Sequence, residues 1–132
     1  MNGMTGMNPL LASVWVGVGG AAGALVRYGA SEATAWLAGR AFVPWATLLV
    51  NVIGCGVIGF IAARAGRDDV GWLVQNRPLV AVGFCGALTT FSTFGLESIT
   101  LLSRRPGLGI AVIVAHVTLG LGAVVLGGRL AA

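Results

Sequence analysis

The sequence predicts an all-α integral membrane protein of four transmembrane helices, and three observations predict it. The 132 residues are 57% hydrophobic and only 9% charged, with a mean hydropathy of +0.93. A soluble domain carries roughly 25% charged residues, so this chain lacks the polar surface that water requires. Four stretches carry no charged side chain, residues 1–26, 41–63, 78–96 and 106–128, and each reaches about the 20 residues that cross a hydrocarbon core. Pro44, Pro78 and Pro106 each stand at or just before the start of an expected span, where a missing N–H costs nothing.

The first helix is expected near residues 10–29. It resembles a signal peptide in hydrophobicity, but it lacks a basic leading segment and three further spans follow it. The second is expected near 45–63, the third near 79–102 and the fourth near 108–128. Residues 31–40 and 64–77 connect them and have room for interfacial turns, whereas 103–105 leave almost no loop. The whole chain, 1–132, reads as a single four-helix membrane domain without repeats.

Eight arginines oppose four acids, and there is no lysine, giving a formal charge of +4. The arginines stand singly or in pairs between apolar runs, so they form no nucleic-acid-binding stripe. Cys55 and Cys85 both lie in apolar runs, which supports neither a disulfide framework nor a metal site. No nucleophile–base pair indicates an enzyme.

Orientation in a membrane follows an excess of Lys and Arg on the cytoplasmic side. Four spans place Arg64, Arg67, Arg77 and Arg129 on one side, with Arg27, Arg40, Arg104 and Arg105 on the other. The balance suggests insertion both ways up and an antiparallel dimer of identical subunits; the alternative is that strong local signals decide orientation. Among 22 glycines, Gly19 and Gly23 form a GxxxG. Gly17/Ala21, Cys55/Gly59 and Ala111/Ala115 repeat the small-xxx-small spacing that lets helices approach closely. They pack either the helices of one subunit or a dimer face.

The third span holds most of the chemistry. Thr89, Thr90, Ser92 and Thr93 follow Gly83 and Gly86, and hydroxyls that bond to carbonyls one turn back bend helices. A helix broken mid-membrane would free carbonyls able to hold a cation; an intact helix whose hydroxyls satisfy themselves is the alternative. Phe91 and Phe94 share a helix face. Such rings are commonly packing, yet aromatic edges are positive and can attract a small anion. Candidate donors beside them are the Asn51 amide and the Ser92 and Thr93 hydroxyls. Arg27 could snorkel or draw anions into a vestibule. Glu97 continues the phenylalanine face and would repel an anion unless paired, for instance with an arginine. His116 reads most simply as a hydrogen-bonded packing residue, with pH sensing as the other option.

Residues 19–28 (Gly-Gly-Ala-Ala-Gly-Ala-Leu-Val-Arg-Tyr), 47–54 (Thr-Leu-Leu-Val-Asn-Val-Ile-Gly) and 83–94, ending Thr-Thr-Phe-Ser-Thr-Phe, together resemble the Fluc/CrcB family of fluoride channels. The resemblance implies an antiparallel dual-topology homodimer in the inner (plasma) membrane, multi-pass, passively exporting fluoride through two pores. It implies pore-lining roles for Phe91 and Phe94 and a fluoride-coordinating amide at Asn51. Arg27 matches the family's vestibule arginine and Glu97 its acidic residue. A structural sodium ion at the dimer centre is implied too, held by the backbone carbonyls of Gly86 and Thr89. Two positions depart from the family pattern. Gly56 replaces a phenylalanine, which would loosen packing, and His116 replaces a small hydroxyl residue of the polar pore track. The competing reading is a proton-coupled small multidrug transporter, but that class needs an acid in the first span, and this chain has none there.

Overall fold

The computed structural model describes residues 7–38, 44–66 and 71–131. Within them α1 spans Pro9–Ala38, α2 Trp45–Ala65 and α3 Trp72–Gln75; a π-helical stretch, Pro78–Cys85, runs into α4, Gly86–Leu88, and α5, Phe91–Arg104, and α6, Pro106–Leu130, complete the chain. No strand occurs among the described residues. Four segments are long and apolar enough to cross a membrane: Pro9–Ala38, Trp45–Ala65, Pro78–Arg104 and Pro106–Leu130. Their apolar side chains face outward all round, including Leu10, Leu25, Ile53, Ile99, Leu121 and Leu126. A helix apolar on every side belongs in lipid or a large core, and this small chain offers no such core.

Local chemistry sets the helix ends. Asn8 Oδ1 accepts the Leu10 N–H at 2.9 Å, and Pro9 opens α1 without losing a bond. The helix passes the expected end near residue 29 because its hydroxyls satisfy themselves. Ser31 Oγ donates to the Arg27 carbonyl at 3.1 Å and Thr34 Oγ1 to that of Ala30 at 2.8 Å. Residues 31–38 are therefore helix rather than an interfacial turn. Among its described residues the second connection contains a helical turn, α3. Arg40 and Arg67, both used in the charge balance, lie outside the described residues.

Glycines bring the backbones together. α1 packs along the π-helical stretch and α4, and α2 packs along α6. A Cβ on Gly19 would overlap the Leu79 carbonyl, one on Gly23 the Phe84 carbonyl, and one on Gly59 the Val124 carbonyl. The GxxxG thus serves packing within this chain, while Gly17 and Gly20 face open space. At Gly56, a departure from the family pattern, a Cβ would meet only the Ala123 carbonyl at 3.8 Å and the Ala123 Cβ at 4.0 Å. The close approach of α2 and α6 there depends on Gly127, whose Cβ would overlap the Gly56 carbonyl.

Gly23→Leu is expected to destabilise the fold by about 3 kcal/mol or more, the upper end for overpacking, because the obstacle is backbone. Thermal unfolding in detergent, with Gly17→Leu as the control in open space, checks this. Equal melting of the two variants would refute the close approach.

Candidate functional site

The site forms where α4 gives way to α5. Thr89 (φ −81°, ψ 151°) and Thr90 (φ −150°, ψ 115°) are extended between the two helices, and side chains take up several of the backbone groups released there. The Thr89 N–H and hydroxyl both donate to the Cys85 carbonyl, at 3.0 and 2.9 Å. In an α-helix the next carbonyl, that of Gly86, would receive the Thr90 N–H. That N–H donates instead to Asn51 Oδ1 at 2.8 Å. The Ala87 carbonyl would receive the Phe91 N–H; the extended pair carries Phe91 out of register, and Arg27 Nε donates to Ala87 at 3.0 Å. The Thr89 carbonyl would receive the Thr93 N–H, which goes to Thr90 Oγ1 at 3.2 Å. Thr90 is thereby the N-cap of α5.

Asn51 is fixed by this arrangement. The Thr90 N–H can only donate, so Oδ1 must face it, and the amide nitrogen then donates to the Thr90 carbonyl at 3.3 Å. One amide N–H remains for another acceptor. α2 brings Asn51 to this level because Gly54, one turn on, leaves room for the Thr89 methyl, which a Cβ there would overlap.

Asn51, Thr90, Phe91, Phe94, Cys55 and His116 line an open groove of about 300 Å³. The Phe91 and Phe94 centroids are 5.6 Å apart at 59°. Phe94 also lies 4.5 Å from the His116 ring and is half-buried, whereas Phe91 is 82% exposed in the single chain. Ser92 and Thr93 are not among the residues lining the groove. Their hydroxyls meet Thr90 Oγ1 at 3.2 and 3.0 Å. His116 Nδ1 lies 3.0 Å from the Val112 carbonyl; a carbonyl only accepts, so Nδ1 carries the proton. Nε2 is buried without a partner among the described residues.

Among the described residues the partner of Glu97 is a threonine rather than an arginine. Thr47 Oγ1 donates to its Oε1 at 2.8 Å, and Oε2 is buried without a partner among the described residues. Arg27 is half-buried against α4 rather than simply snorkelling. Thr47, Cys55 and the capping role of Thr90 escape a reading of the sequence. Only Thr90 has a local signal, a threonine three residues ahead of Thr93 at a helix start. Both cysteines are free thiols. The Gly86 and Thr89 carbonyls, expected to hold sodium, are two that have lost their helical donors to side chains, and backbone oxygens are the donor type a hard cation takes.

The family model described as CrcB-like protein, Camphor Resistance (CrcB), matches residues 14–128. A fluoride-specific ion channel FluC of Rhizobium leguminosarum bv. trifolii is 43% identical over 119 residues, covering 89% of this chain and 94% of that protein. A fluoride-specific ion channel FluC of Methanopyrus kandleri is 42% identical over 117 residues, covering 89% and 86%. One from Salinibacter ruber is 38% identical over 119 residues, covering 89% and 87%.

Proposed function

Because the chain belongs to the CrcB family, we propose that it is a fluoride-specific ion channel that lets cytoplasmic fluoride leave the cell passively. The carrying observation is the groove in which Asn51, pinned by Thr90, stands beside the rings of Phe91 and Phe94. A bare anion in lipid loses its hydration; even a carboxylate-sized ion carries an idealised penalty of order 20 kcal/mol. Each ring edge offers about 1 kcal/mol by analogy with aromatic pairs, so the rings act with fixed donors. The free N–H of Asn51 is such a donor, and residual water supplies others. Ser92 and Thr93 support the track through Thr90. His116 continues the groove on α6, and Arg27 and Glu97 belong to its approaches.

The working unit is an antiparallel, dual-topology homodimer in the inner membrane, with two pores built from both copies. Two features support it. The arginines are balanced between the two sides, and Phe91 is largely uncovered in one chain, so a second copy has a ring edge to receive. The third span is then broken mid-membrane, with the Gly86 and Thr89 carbonyls of each copy holding a structural sodium ion at the dimer centre. Held by those carbonyls, sodium would supply positive charge to offset their partial negative charge.

Purified protein in liposomes is expected to release fluoride without an imposed proton gradient and to retain chloride. Equal fluxes of the two anions, or none, would overturn the assignment.

A further inference from the structure

We propose that Arg27 is a positioning residue: its Nε–H takes the place of the missing helical donor to the Ala87 carbonyl and so holds α4 in the alignment that presents the groove. Three observations carry this. The Nε–carbonyl distance is 3.0 Å across 60 residues of sequence. Gly19, Gly23 and Arg27 follow one another at four-residue spacing on α1, hence along one face. Gly19 meets the Leu79 carbonyl and Gly23 the Phe84 carbonyl and the Leu88 amide, so the same face reaches the end of α4 one turn later, at Arg27. Finally, Ala87 lies between the two carbonyls assigned to sodium, Gly86 and Thr89. The side chain that occupies Ala87 therefore sets where its neighbours point.

A guanidinium suits this place. Carbonyls at the C-terminal end of a helix carry partial negative charge, and arginine is favoured there. The role differs from attracting anions by charge alone, because it requires a donor at one atom. The inference deepens the channel reading, but its first measurement does not depend on ion flux.

Glutamine and methionine separate donor from charge. The Gln amide nitrogen stands at the same chain position as Arg Nε, without the charge; Met matches the length and has neither. Amide hydrogen exchange of residues 86–93 in the purified dimer is the first readout and fluoride efflux the second. Arg27→Met is expected to speed exchange of the Thr89, Thr90 and Thr93 amides about tenfold or more, with α2 and α6 unchanged, and Arg27→Gln to stay near wild type in exchange. Efflux is expected to fall much further in Met than in Gln. Exchange rising and efflux falling alike in both variants would assign Arg27 to charge alone and overturn the proposal. So would unchanged exchange in Met, or failure of both variants to fold. If only Met fails to fold, the donor is required and the proposal stands. A wild-type protein that carries no fluoride would sink the channel assignment, while the exchange comparison would still decide the role of Arg27.

Discussion

Phe91→Ile is expected to cut fluoride efflux about five- to tenfold, since removing a ring edge worth about 1–1.5 kcal/mol raises the barrier by that amount. Isoleucine keeps the bulk and the apolar character but offers aliphatic hydrogens in place of a polarised ring edge. Phe91 is the cleaner of the two phenylalanines to test. It is 82% exposed in the single chain, so its replacement removes little packing within a subunit and leaves α5 capped by Thr90. Phe94→Ile is expected to lower flux as strongly, but it also strips the ring from His116, 4.5 Å away. Liposome efflux, read beside cross-linking of the dimer, checks both. Unaltered flux with Phe91→Ile would return that ring to a packing role against lipid or the second copy.

The spans were legible because hydropathy is summed over twenty or more residues, and no local detail outweighs it. The helix ends were less so. α1 outran its expected boundary since Ser31 and Thr34 bond backward along their own helix, and a hydroxyl reads the same in sequence whether it turns inward or faces water. The Thr89–Thr93 cluster marked the segment of interest. What its residues could not reveal were the groups that answer it: Asn51, 39 positions away, Arg27, 60 away, and Thr47, the partner of Glu97 across 50 positions. Partners at that separation are fixed by which backbones touch, and the glycines decide that. Gly19, Gly23, Gly59 and Gly127 could be seen as small residues. That these faced a neighbour while Gly17 and Gly20 faced open space depended on helix rotation, a property that uniformly apolar helices do not encode in their pattern.

Asn51→Asp is expected to abolish conduction while keeping the bond to the Thr90 N–H, at a cost to the fold of about 1–3 kcal/mol for the Thr90 carbonyl left without its donor. The carboxylate keeps the acceptor that Thr90 N–H requires, and a charged acceptor binds a backbone donor at least as well as an amide does. It loses the two N–H groups, one of which meets the Thr90 carbonyl at 3.3 Å, the other being the donor assigned to fluoride. It also sets a negative charge beside the path. Two like charges about 4 Å apart repel by about 4 kcal/mol at an effective dielectric of 20, which corresponds to roughly a thousandfold in rate. Protonation of the new carboxyl would remove that charge and restore one donor, so flux should recover as pH falls. Asn51→Ala behaves differently. It leaves both the N–H and the carbonyl of Thr90 without partners, at about 1–3 kcal/mol each, and should reduce folded yield and flux together. An Asn51→Asp channel that conducts fluoride like the wild type at neutral pH would show that Asn51 serves only to hold Thr90. The anion would then have to find its donors elsewhere on the groove.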